Sequence, residues 1–173
     1  MSLNILIWNS NGLHQHEREF KNYLIEASID VALISETHFT QRSFIRPPNH
    51  NIYNTNHPSG AGHGGTAVII HKNIKVIRDE HYRKPHIQST IVTIMDRDGP
   101  MNLAAVYCPP RYTNSKEEYK EFLKTLGNRF IAGGDFNSKH EAWGSRLTNT
   151  KGRILIEALT TLNTNFISSG EPT

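Results

Sequence analysis

IAGGDFNSKH, residues 131–140, is the stretch on which the reading of this chain turns. An apolar pair, Ile131-Ala132, runs into Gly133 and Gly134, and then Asp135, Asn137 and His140 follow. RFIAGG (129–134) has the composition of a short strand, so Asp135 and Asn137 stand where that strand ends. In layered α/β folds, loops beyond the carboxyl ends of strands converge without disturbing the core, and sites form there. Glycines at such a point let backbone approach the site with no Cβ in the way.

Other strands end in the same manner. LNILIW (3–8) alternates and leads to Asn9, with NSNG (9–12) as a turn. DVALIS (30–35) reads as a buried strand ending at Glu36, followed by Thr37-His38. NLAAVY (102–107) ends at Tyr107, where Cys108-Pro109-Pro110 stops it. GTAVIIH (65–71) and QSTIVTIMD (88–96) are further strands, the second closed by a hairpin-like break at Arg97-Asp98-Gly99-Pro100. Residues 40–64 read as irregular, and NFISSG (165–170) as the start of a last strand.

Three helices separate these segments. Phe20, Leu24 and Ala27 mark one face over residues 15–28. Ser115 and Glu118 have capping-box spacing ahead of a Tyr119, Phe122, Leu123, Leu126 stripe, with Gly127 placed to end the helix. Leu155, Ala158, Leu159 and Leu162 mark the third. Helix-linked strands at the ends and hairpin-linked strands in the middle predict an α/β (α+β) fold with mixed sheets.

With 173 residues, one domain over 1–173 is the expectation. No apolar run approaches the roughly 18 residues of a membrane span, and MSLNILIWNSNG has no basic n-region of a leader. A net charge of +3 and pI near 9.0 permit a polyanionic partner. The single cysteine, Cys108, excludes an internal disulfide and reads as a buried small side chain. Five of the ten histidines are scattered (His50, His57, His71, His81, His86) and read as surface composition, with no zinc-site spacing. His38, His63 and His140 read as surface or supporting groups.

Taken singly, Asp135, Asn9, Glu36 and Tyr107 are a turn residue, a turn amide, a surface charge and a core-edge phenol. Taken together they put two carboxylates, amides and a phenol around one pocket. Hard oxygen donors such as Glu36 and Asp135 suit Mg²⁺ or Mn²⁺ rather than zinc. Such an ion polarises a phosphoryl oxygen, an Asp orients or deprotonates water, and Asn9 and Asn137 hold phosphate oxygens where charge develops. The chemistry that uses this set is phosphodiester hydrolysis.

WNSNGL, LISETH, AVYCPP and GGDFN, in that order, resemble the endonuclease/exonuclease/phosphatase superfamily. HGGTAVII (63–70), AAVYCPPRYT (104–113) and GGDFNSKHEAWGSRLTNTKGR (133–153) resemble, more narrowly, the endonuclease domain of jockey-type non-LTR retrotransposons. The resemblance spans essentially the whole chain. It implies a four-layer sandwich of two mixed β-sheets flanked by helices. It implies Mg²⁺-dependent nicking of target DNA, whose 3′-hydroxyl primes reverse transcription, and a reverse transcriptase domain in the same polyprotein. Matched by motif, Glu36 and Asn9 bind the metal, Tyr107 bonds the scissile phosphate, and Asp135 activates water or stabilises the leaving group. Asn137 supports Asp135 and a phosphate oxygen. Asn11 stands where apurinic endonucleases often carry Asp, and His140 is not the family's catalytic histidine.

The family pattern continues with a further strand and a Ser-Asp-His motif that this sequence does not contain. The resemblance therefore implies a domain incomplete at its C-terminus, with the last strands of the second sheet missing. The alternative it leaves is an inactive, nucleic-acid-binding remnant of such an element. Another superfamily phosphatase fits less well, because Arg111, Lys139, Arg146, Lys151 and Arg153 are placed to track a DNA backbone, interrupted by Glu141.

Overall fold

The computed structural model describes residues 2–168. Among the described residues, eight strands form two four-stranded sheets. The first contains β1 (Ile5–Asn9), β2 (Val31–Ser35), β3 (His50–Thr55) and β4 (Thr66–His71), in the order β1-β2-β4-β3. The second contains β5 (Val76–Arg83), β6 (Gln88–Asp96), β7 (Gly99–Tyr107) and β8 (Phe130–Asp135), in sequence order. Each sheet has one parallel pair, β1–β2 and β7–β8, and the remaining pairs are antiparallel. The helices among the described residues are α1 (Glu17–Glu26), α2 (Lys116–Thr125) and α3 (Thr150–Thr161), with 3-10 turns at Leu13–His16 and Glu141–Trp143.

The period of two along each strand builds the layers. Val31 and Leu33 of β2 meet Val92, Ile94, Leu103 and Ala105 between the sheets. Ala32 and Ile34, on the other face, pack under Phe20 and Leu24 of α1. Ile91, Ala104 and Val106 turn away from the first sheet and pack under Tyr119, Phe122, Leu155 and Ala158 of α2 and α3. The mixed-sheet, four-layer fold therefore agrees with expectation. A strand covered on both faces has no polar side, which is why VALIS is buried throughout.

Several strands differ from the reading of the sequence. β3, HNIYNT, lies inside the segment read as irregular: its residues show no clean apolar alternation, and its ladder to β4 forms the strand. His50 at its start is buried, with ring nitrogens 2.7 Å from the Pro48 carbonyl oxygen and 3.0 Å from that of Ile29. β5, VIRDEHYR, is an edge strand whose charges face solvent, a composition that blunts an edge and hides the strand from a hydrophobic search. β7 also begins earlier than expected, at Gly99. Pro100 is tolerated because β8 pairs only from Asn102 onward. The last strand expected at 165–170 is absent over 165–168, where Phe166 instead packs edge-on against Trp143. Residues 169 and 170 lie outside the described residues.

β1 and β8 are each the edge of their sheet, and among the described residues no strand pairs with their outer sides. They lie against each other across the sandwich, with Ile7 of β1 about half exposed (52%).

Candidate active site

The parallel pairs set the site, one from each sheet. Asn9 stands opposite Ser35, the residue before Glu36, and Tyr107 stands opposite Asp135. The two glycines bring these ends together. A Cβ on Gly133 would lie 2.6 Å from Ile7 Cδ1, and one on Gly134, at φ +147°, would lie 1.9 Å from the Val106 carbonyl oxygen. From sequence, glycine here is expected to admit backbone to the site. In the structure it admits β8 to β7 and to β1, which carries Asp135 up to Asn9.

Asn9 Nδ2 donates to Glu36 Oε1 and to Asp135 Oδ2, both at 2.8 Å. One amide with two hydrogens thus serves two carboxylates. Its Oδ1 accepts the Asn11 backbone N–H at 3.1 Å. Glu36 sits at φ 53°, with its carbonyl accepting from Gly12 N–H at 2.8 Å and Ser10 Oγ at 3.0 Å. Its Oε2 lies 3.6 Å from His38 Nε2. Asp135 Oδ1 accepts the Asn137 backbone N–H at 2.7 Å, and Asn137 Nδ2 donates to the Cys108 carbonyl at 3.1 Å. Asn11, Glu36, His38 and Asn137 all have positive φ, between 42° and 54°. Non-glycine residues held there store strain of order 1–3 kcal/mol each and occur where a site fixes its own geometry.

The Tyr107 phenol is nearly buried, and its pKa is pushed up to about 12, first by burial and then by the Glu36 and Asp135 charges. It is a hydrogen-bond donor at any pH near neutrality. Among the described residues no three His, Cys, Asp or Glu side chains converge as a metal cage. The two carboxylate groups joined by the Asn9 amide are a sparse, hard donor set. That fits an ion which keeps most of its water and completes its shell with substrate phosphate.

Four of the five basic residues, Arg111, Lys139, Arg146 and Arg153, are exposed. Lys151 is a correction: it is 7% exposed, and its Nζ donates to the Pro109 carbonyl at 2.8 Å. Desolvation lowers its pKa. It pins the start of α3 to the chain leaving Tyr107 and is not available to a DNA backbone. His140 caps the turn at Glu141–Trp143, accepting the Ala142 N–H at 3.0 Å.

Two groups escaped the reading of the sequence. Asn149 Oδ1 accepts from Gly152 N–H at 2.7 Å and Lys139 N–H at 3.1 Å, closing the 139–149 loop below Asn137. Its signal was present, an Asn directly before a helix. His57, read as surface composition, is buried beside Tyr107. Nothing local marks it.

Residues 6–173 match the Endonuclease/Exonuclease/phosphatase family. The RNA-directed DNA polymerases from mobile element jockey of Drosophila melanogaster and Drosophila funebris are 35% and 34% identical over 99% of the chain. The chain spans about a fifth (19%) of their length. Among solved structures, the endonuclease domain of TRAS1, a telomere-specific non-LTR retrotransposon, superposes with a TM-score of 0.69 at 23% identity. That match covers 89% of this chain and 68% of the other.

Proposed function

The chain belongs to the endonuclease/exonuclease/phosphatase family, and from that premise we propose that it is the DNA-nicking part of a jockey-type retroelement. It hydrolyses one phosphodiester of target DNA with a divalent cation, Mg²⁺ or Mn²⁺, and leaves a 3′-hydroxyl for the element's reverse transcriptase. The observation that carries this reading is the Asn9 amide joined to both Glu36 and Asp135 at 2.8 Å, one carboxylate from each sheet. The core shared by the two sheets supports reading the described residues as parts of one domain.

Glu36, with Asn9 beside it, would hold the cation. When bound, such an ion polarises a phosphoryl oxygen and stabilises the departing one. Asp135 holds and deprotonates the attacking water. Its Oδ1 is fixed by the Asn137 N–H and its Oδ2 by Asn9, so the carboxylate keeps one orientation. The Tyr107 phenol, protonated throughout the working range, donates to a phosphate oxygen on which negative charge grows. Asn137 holds Asp135 and turns the chain, and His38 steadies Glu36. Arg111, Lys139, Arg146 and Arg153 follow the DNA backbone.

The test is nicking of supercoiled plasmid. The native chain with Mg²⁺ is expected to yield open circles, and EDTA to abolish them. Glu36→Gln and Asp135→Asn are expected to slow nicking by about 10²-fold or more. No product from the native chain, or product undiminished in both variants, overturns the reading.

A further inference from the structure

The groups around Gly64 lie outside the carboxylate set but share Tyr107 with it. A Cβ on Gly64 would stand 2.9 Å from Gln88 Oε1, 3.2 Å from Tyr107 Cε1 and 3.4 Å from His57 Cδ2, so amide, phenol and imidazole border one backbone carbon. The loop is fixed there: His38 N–H donates to the Gly64 carbonyl at 3.0 Å, and Gly65 N–H to Gln88 Oε1 at 2.7 Å. The His57 ring packs on that of His63, centroids 3.8 Å apart. His57 is 9% exposed, and His63 is at the surface.

The tautomer follows from the loop. Ser59 backbone N–H donates to His57 Nδ1 at 3.2 Å, so the neutral ring carries its proton on Nε2. That Nε2 has no hydrogen-bond partner among the described residues. The charged or titratable groups facing His57 are His63, Arg111 and the Tyr107 phenol. Arg111 also acts on Tyr107. Two imidazoles and a guanidinium therefore gather beside the phenol, and among the described residues no carboxylate acts on His57. Burial first, and then His63 and Arg111, hold its pKa below the ordinary histidine value.

We propose that His57, His63 and Arg111 form an anion subsite beside Tyr107 that takes a DNA backbone phosphate next to the one the carboxylates act on. The proposal rests on the nuclease reading. The phosphate supplies the counter-charge that the cluster lacks. His57 Nε2–H is a ready donor, and a phosphate at this point raises the proton affinity of the imidazole. DNA binding then takes up a proton from solvent, and affinity rises as pH falls through the histidine range.

The experiment is anisotropy of a fluorescein-labelled DNA duplex in EDTA, at about pH 5.5 and about pH 8, at fixed ionic strength. The native chain is expected to bind about tenfold more tightly at the lower pH, the yield of one charge-assisted hydrogen bond. His57→Gln and His63→Gln each remove most of that ratio. His71→Gln, at the far end of β4, keeps it and controls for general histidine protonation. His63 is exposed, so its variant reports even if His57→Gln unfolds. An unchanged ratio in His63→Gln, or the same loss in His71→Gln, overturns the proposal. Plasmid nicking at about pH 8 with Mg²⁺ separates the two readings. Nicking with an unaltered ratio leaves the nuclease and removes the subsite. A histidine-dependent ratio without nicking keeps the subsite and removes the nuclease.

Discussion

With Asn9 replaced by Ala, Glu36 and Asp135 would face each other without the donor that both now share. Neither carboxylate would then be held in place by it, so Asn9→Ala is expected to lower plasmid nicking by about 10²-fold, the cost of one preorganised donor. Asn9→Asp is expected to do worse at low Mg²⁺, because a third carboxylate replaces the donor, and raised Mg²⁺ should recover part of the loss. Titrating Mg²⁺ against nicking rate separates the two variants. Tyr107 gives a different signature. Its pKa is raised to about 12, so its proton is fully present below that value and lost only as pH rises through it. Tyr107→Phe is expected to lower the rate by about 10²-fold and to leave the shape of the pH–rate profile between about pH 7 and 10 unchanged. A Tyr107-dependent fall inside that window would contradict the role of a neutral donor.

At the scale of elements, the glycines of β8 decide whether the strands can close. A methyl on Gly134 would meet the Val106 backbone, which cannot step aside, whereas one on Gly133 would meet the side chain of Ile7, which can be shortened. Gly133→Ala is expected to destabilise by about 1–3 kcal/mol, and Ile7→Val in the same chain to return part of that. Gly134→Ala is expected to cost more and to have no partner that rescues it. Thermal unfolding of the native chain, Gly133→Ala, Ile7→Val and the double variant forms the cycle. Here the difference between sequence and fold is physical. The helix at Lys116–Thr125 was legible, capping box included, because the bonds between Ser115 and Glu118 are local. Asp135 and Glu36 were legible as strand-end carboxylates. Their bridge through Asn9 was not, since it depends on Ile7 meeting Gly133, an approach between strands about 126 residues apart in the chain. β3 was missed for the same reason, being made by the strand it pairs with, and β5 because its charges face solvent. Lys151 was misread because spacing groups it with exposed cations, and only the packing of α3 against the segment after Tyr107 reveals it as buried.

Over the whole molecule, the cations proposed to follow DNA divide into four exposed residues and one buried one. Replacing Arg111, Lys139, Arg146 or Arg153 by Ala is expected to weaken duplex binding and flatten the dependence of log K on log salt by about one unit for each phosphate left without its cation. Lys151→Met is expected to leave that slope unchanged and to alter thermal stability instead. Anisotropy titrations across a salt series distinguish the two classes. The paired open edges have a different consequence. β5 guards its edge with Arg78, Asp79, Glu80 and Arg83, but β1 presents Ile7, about half exposed. Unpaired backbone flanked by apolar side chains is a template for another strand. Sedimentation of the chain is expected to show association that grows with concentration and recedes in Ile7→Lys. The contiguity of β1 and β8 that lets an amide in one sheet hold a carboxylate in the other thus makes the shelf life of a stock solution depend on how crowded it is.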